Sequence, residues 1–183
     1  MIKTTSNEMI TNLIESMTVD EMKERLAKYM LADETVCSRP VGIEVRLKDT
    51  ADRQGRYEVI MVMADGSEVK VKFTDRPSKL IYIYTLLHPK GFQRRMLMAN
   101  NYKPLRQLFS KIFFMPEETL LKAVDEKFDQ YINQAVSQSR VAIRKAIGNV
   151  EDLEIALPQR NGGRTVINYA ANGGTVIIDS SLL

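Results

Sequence analysis

The hydrophobic pattern of this chain changes period three times, and each change marks a change of element. Near the start, Met9, Ile10, Leu13, Ile14 and Met17 fall at helical spacing, and Met22, Leu26, Tyr29 and Met30 do so again. Each stretch follows a capping-box signature, Thr5-Ser6-Asn7-Glu8 and then Thr18-Val19-Asp20-Glu21. In such a box the Thr hydroxyl accepts from the helix backbone and the Glu reaches back to the Thr amide. Two short helices are expected, followed by a linker over 32–40. The period then becomes two. Ile43, Val45 and Leu47 alternate with Glu44, Arg46 and Lys48; Tyr57, Val59, Met61 and Met63 form a second alternation, and Val69, Val71 and Phe73 a third. Polar residues 49–55 separate the first two, and Asp65-Gly66 separates the last two, a strong hairpin signal. A three-stranded antiparallel meander is expected.

The helical period returns after Phe73. Thr74-Asp75-Arg76-Pro77 offers an N-cap followed by proline in the first turn. Leu80, Ile81, Ile83, Tyr84 and Leu87 predict a buried helix that stops before Pro89-Lys90-Gly91. A loop rich in Arg and Asn follows over 90–103. Residues 104–113 predict a second helix with Leu105, Leu108, Phe109 and Ile112 inward, and Pro116-Glu117-Glu118 starts another. A long helical pattern covers 128–147 and ends at Gly148-Asn149. Strand patterns close the chain at 153–157, 165–169 and 175–179, with 170–174 read as the turn joining the last two into a hairpin. The expected fold is α+β in two parts. Residues 1–36 form an N-terminal helical appendage. Residues 41–183 form a small antiparallel sheet and a three-helix winged-helix core with a C-terminal β-hairpin wing. The appendage reads either as packing on its own domain or as pairing with a second copy to make a homodimer.

Composition narrows the class. The chain has 183 residues, of which 44% are hydrophobic and 27% charged, enough to bury a core and too apolar for a disordered polymer. No apolar run approaches the ~20 residues that span a bilayer. The first eight residues lack the apolar segment of a signal peptide, and the single cysteine, Cys37, allows no internal disulfide. A cytoplasmic protein without membrane association is expected. Catalysis is not. A zinc site or a nucleophilic triad must draw on Cys37 and the one histidine, His88, and His88 reads as the cap of the helix before Pro89. Gly162-Gly163 and Gly173-Gly174 read as hairpin turns, since neither leads into the helix or lysine of a phosphate cradle. No cofactor or metal is implied.

Charge points to a partner. Residues 1–75 hold 11 basic and 14 acidic side chains, residues 76–148 hold 13 and 5, and residues 149–183 hold 2 and 4. A basic middle between acidic flanks suits an anionic ligand, although Lys- and Arg-rich solvated helix faces give the same count. On the long helix, at ~100° per residue, Ile132, Val136, Ser139, Ile143 and Ile147 share the inward face. The opposite face carries Gln134, Ser137, Gln138, Val141 and Lys145, flanked by Arg140 and Arg144. Gln pairs with adenine, Ser with either partner and Val with a thymine methyl, while Arg and Lys suit phosphate or guanine. Lys103 and Arg106 on the second helix suit backbone phosphate.

These elements resemble a family. Residues 56–87 run strand, Asp-Gly turn, strand, Thr74 and an apolar helix containing Leu86-Leu87, and this is similar to the start of the effector domain of response regulators of the OmpR/PhoB type. Ile143-Arg144-Lys145-Ala146-Ile147-Gly148 resembles the end of their recognition helix, and 165–179 takes the place of their wing. The resemblance spans 41–179 and lies in order and pattern, not in one motif. It implies a dimeric transcriptional regulator whose long helix reads the major groove of double-stranded DNA. There are departures. Residues 90–103 and 115–129 lengthen the region between the first and third helices. Helices stand where the receiver domain belongs, so phosphorelay control is not implied. The tip at 170–174 lacks the arginine of a minor-groove contact, and Arg160 and Arg164 in the preceding loop stand in for it. The alternative is a winged helix that binds protein instead of DNA, with ten methionines to suit it. Convergence of the basic side chains on one surface separates the two readings.

Overall fold

The computed structural model describes residues 18–21, 23–24, 40–117, 119–120, 128–148 and 153–183. The chain divides into two compact units, 1–37 and 38–183. In the first unit, the second capping box forms as the sequence predicts. Glu21 N–H donates to Thr18 Oγ1 at 3.4 Å, and Thr18 N–H donates to Glu21 Oε2 at 2.9 Å. The first box, the apolar stripes of both N-terminal helices, residues 32–39 of the expected linker and Cys37 lie outside the described residues.

The second unit is α+β, built on the predicted meander. Strands β1 (Pro40–Asp52), β2 (Gly55–Met63) and β3 (Glu68–Lys70) pair antiparallel in sequence order. Ile43, Val45, Tyr57, Val59, Met61 and Met63 are buried, as period-two alternation on one face requires. The third strand stops short of the predicted Phe73. Val71 N–H still donates to Val59 O at 2.9 Å, and Phe73 turns inward against Tyr82, their ring centroids 5.7 Å apart.

Helix α1 (Arg76–Leu87) is the centre of the core. Asp75 caps it, accepting from Ser78 N–H at 2.7 Å, with Pro77 in the first turn. Residues 78–86 are all buried, because the sheet and two later helices pack around it. Its few polar groups are each satisfied within the fold. Thr85 Oγ1 donates to Ile81 O at 2.6 Å, Tyr82 Oη donates to Ala156 O at 3.0 Å, and Lys79 Nζ donates to Gln54 O and Tyr57 O. His88 is the C-cap, with Nδ1 on Tyr84 O at 2.8 Å and its ring stacked on the Tyr84 ring.

The loop expected over 90–103 is ordered. Strand β4 (Phe92–Gln93) leads directly into helix α2 (Arg94–Ala99). Asn101 and Tyr102 turn the chain with positive φ, and α3 (Lys103–Phe113) follows with Leu105, Leu108, Phe109 and Ile112 buried. The long helix α4 (Phe128–Ile147) spans the predicted residues and ends at Gly148, whose N–H donates to Arg144 O at 2.8 Å.

Two strand predictions are corrected. Residues 153–156 form a 3-10 turn, because Leu153, Ala156 and Leu157 are the buried positions and their spacing is helical, not alternate. The hairpin joining 165–169 to 175–179 does not form. The hairpin is β5 (Gln159–Asn161) with β6 (Arg164–Val166), closed by Gly162-Gly163, and β6 also pairs with β4 in a sheet of order β4-β6-β5. Beyond β6, Ile167 and Tyr169 are buried in the core, and Ala170–Asn172 form a 3-10 turn. Gly174 lies against the Tyr169 ring, where a Cβ would come within 2.3 Å. The chain is thereby carried to the other sheet, and β7 (Thr175–Ile178) pairs parallel with the free edge of β1, giving the order β3-β2-β1-β7. No helix among the described residues is long and apolar enough to cross a membrane.

Candidate nucleic-acid interface

Helix α4 presents the two faces its sequence predicts. Ile132, Ala135, Ser139, Ala142 and Ile143 are buried, and Val136 and Ile147 pack against the core from its edge. Gln134, Ser137, Val141, Arg144 and Lys145 are exposed, with Gln138 and Arg140 half-buried beside them. Val141 is 50% exposed, so the face includes an apolar patch of its own.

The two arginines on this face are not bare. Arg140 Nη2 lies 2.9 Å from Glu154 Oε2, and Arg144 Nη2 is paired with Glu154 Oε1. Arg140 Nη1 also donates to Pro158 O at 3.2 Å. Arg144, together with Arg140, holds the Glu154 carboxyl below the usual carboxylate range. Lys145 forms no ion pair among the described residues.

A second basic group gathers at the small sheet. The β5–β6 hairpin places Arg160 and Arg164 on either side of its Gly-Gly turn, and Asn161 pairs with Arg164 across it. Gly91 lets the chain reach this sheet. Its φ is +72°, and a Cβ there would sit 2.8 Å from Thr165 O. Phe92 is then buried against Tyr84, edge to face at 5.1 Å, and Arg94 and Arg95 follow at once as α2 begins. Two clefts flank the hairpin tip. One, of about 730 Å³, is lined by Arg94, Arg95 and Arg160, and the other, of about 410 Å³, by Lys90 and Arg164. Gly162 borders both, and among the described residues no acidic side chain lines either.

One side chain joins the two basic groups. Asn133 on α4 offers its Oδ1 to Arg94 Nη2 at 2.5 Å and to Arg160 Nη2. The exposed face of α4 and the hairpin are therefore parts of one surface, held at that point by hydrogen bonds. No protein-family model, curated protein or solved structure matches this chain. The chemistry of this surface is thus what speaks to function.

The remaining predicted residues lie apart. Lys103 is exposed in the first turn of α3. Arg106 is half-buried, and its Nε is enclosed without a hydrogen-bond partner among the described residues. No hydrogen bond or ion pair links either to α4 or to the hairpin among the described residues. Conversely, Lys90, Arg94, Arg95 and Asn133, none of them among the residues expected from the sequence, stand at the surface. A run Gly91-Phe92-Gln93-Arg94-Arg95 had carried a usable signal: one apolar residue after a glycine, then a charged pair, suits a short strand entering a helix. Among the described residues no cluster of three or more His, Cys, Asp or Glu is placed to hold a metal ion.

Proposed function

We propose that this chain is a DNA-binding protein, a transcriptional regulator that engages double-stranded DNA through the exposed face of α4 and the β5–β6 hairpin together. The observation that carries the reading is the shared bond at Asn133, which sets α4 and the basic cluster of Lys90, Arg94, Arg95, Arg160 and Arg164 on one surface. Guanidinium groups in open clefts are suited to phosphate oxygens, which fix register on a duplex. Gln134, Ser137 and Val141 provide the donor, acceptor and apolar contacts that base edges require.

The order of elements supports the finer reading as a winged helix of the OmpR/PhoB type. Helices α1, α3 and α4 are followed by a hairpin, and that hairpin pairs with β4. In this reading the wing is β5–β6, and its arginines flank the tip instead of preceding it. Of the residues 165–179 first expected to form the wing, only Thr165 and Val166, in β6, take part in it. Pairing of two copies through residues 1–36 belongs to the same proposal, and sedimentation equilibrium of the full chain against a chain begun at residue 38 tests it.

The test of DNA binding is a fluorescence anisotropy titration of the full chain into a random-sequence duplex pool, repeated with Arg160→Ala and Arg164→Ala combined. The proposal expects binding that the double substitution weakens by at least tenfold, since two phosphate-directed cations are lost. The alternative, a protein-interaction module, is favoured by one observation. Met96 and Met98, on α2 beside the larger cleft, are 57% and 55% exposed. Absence of duplex binding at low salt would leave that reading in possession.

A further inference from the structure

Arg140 and Arg144 stand one turn apart on α4, and a single carboxylate, Glu154, holds both. The carboxylate is presented by a fixed backbone. Leu153 and Ala156 on either side of it are buried, Tyr82 Oη donates to Ala156 O at 3.0 Å, and Gln159 Nε2 donates to Glu154 O at 2.7 Å. The 3-10 turn is therefore pinned to the core by α1, and it aims Glu154 at the guanidinium pair. Arg140 is additionally bonded to Pro158 O. The hairpin clefts differ in that no acidic residue among the described residues lines either of them.

A carboxylate and a phosphate compete for the same face of a guanidinium, because both offer paired oxygens to its fork of N–H donors. Resting on the DNA-binding reading above, we propose that Glu154 is an internal stand-in for DNA phosphate, a specificity-determining residue that occupies Arg140 and Arg144 until α4 is seated in a groove. An encounter that touches phosphate alone gains little at this end of α4, because each new contact to Arg140 or Arg144 replaces one to Glu154. The basic clefts beside the hairpin make the first contact. The helix arginines transfer to DNA only where base-edge contacts by Gln134, Ser137 or Val141 add to the gain. Glu154 thus lowers non-specific affinity more than seated affinity.

The test uses the full chain and the random-sequence duplex pool, with anisotropy read at several salt concentrations. Glu154→Gln keeps the shape and removes the charge. Glu68→Gln is the matched control. It removes the same charge from an arginine elsewhere, since Glu68 pairs with Arg46 at 2.9 Å across the meander. The proposal expects Glu154→Gln to bind the pool about three- to tenfold more tightly than the parent, with a log–log salt slope steeper by about 1 to 2, at ~0.9 per phosphate newly contacted. Glu68→Gln should match the parent within about twofold. If Glu154 merely staples the turn to α4, Glu154→Gln melts at lower temperature and binds no better, which overturns the proposal while DNA binding by the parent stands. If neither the parent nor Glu154→Gln binds duplex, the DNA reading and this proposal fall together. A parent that does not bind beside a Glu154→Gln that does would be the strongest support for masking.

Discussion

Asn133 and Arg160 are 27 positions apart in the chain, yet the Arg160 guanidinium donates to the Asn133 carboxamide oxygen. That bond, shared with Arg94, fixes the angle between the exposed face of α4 and the small sheet. Replacing Asn133 by Leu removes the acceptor and leaves both arginines in place. We expect a change in stability below about 1 kcal/mol, because an exposed hydrogen bond contributes little net free energy. Duplex affinity should fall several-fold, because the hairpin then loses its orientation relative to the helix. Thermal melts and anisotropy on one preparation separate the two effects.

Lys79 gives the pH dependence. Its ammonium is buried beneath the β1–β2 turn and donates to Gln54 O and Tyr57 O. Burial, and then the nearby Lys48, bring its pKa down to about 8. A lysine whose pKa is lowered by folding opposes folding below that pKa, where it must be charged inside the protein. The opposition is relieved as pH rises from about 8 toward its unfolded value. Stability should therefore increase between pH 8 and pH 10, by roughly 2–3 kcal/mol. Above that range the buried Tyr82, whose pKa is pushed well up by burial, reverses the trend. Urea denaturation at pH 7, 8, 9 and 10 measures the slope, and Lys79→Met should flatten it.

Gly91 and Gly66 make a controlled pair. Both have positive φ, +72° and +81°. A Cβ at Gly66 meets nothing within 4 Å, whereas one at Gly91 would lie 2.8 Å from the Thr165 backbone oxygen. Gly66→Ala should cost about 1–2 kcal/mol, the penalty for a left-handed residue alone. Gly91→Ala should cost more, because it also pushes β4 from β6. It should weaken duplex binding too, since Arg94 and Arg95 follow β4. Equal stability losses for the two substitutions would show that β4 yields freely.

The local signals in the sequence were sound where the structure depends on neighbours. Thr74-Asp75-Arg76-Pro77 gave a cap and a helix start because the Asp75 bond to Ser78 spans three residues. Thr18 and Glu21 did the same. The face of α4 was readable for a related reason, since helical periodicity alone decides that Ile132 and Ile143 go in and Gln134 and Lys145 go out. The position of the hairpin is ambiguous in the sequence because two turns compete. Asn172-Gly173 lies between alternating runs as plausibly as Gly162-Gly163 does. The choice was made by the unpaired edge of β1, which sits more than a hundred residues upstream and takes β7. Capture of Arg140 and Arg144 by Glu154 was hidden likewise. It requires the chain to fold back after Gly148 and to be pinned there by Tyr82. Arg94 and Arg95 passed as loop charges because β4 has only two residues, too few to show a period.

The most direct measurement is the salt dependence of duplex binding by the full chain, followed by fluorescence anisotropy with a random-sequence pool between low and physiological ionic strength. The account predicts binding whose log affinity falls linearly with log salt, with a slope of about −3 to −5 if four or five of the cations at the hairpin each displace a counterion. The slope should shrink by about 2 when Arg160 and Arg164 are both replaced by Ala. No binding at the lowest salt, or a slope indifferent to those two residues, would contradict the claim that this surface holds DNA.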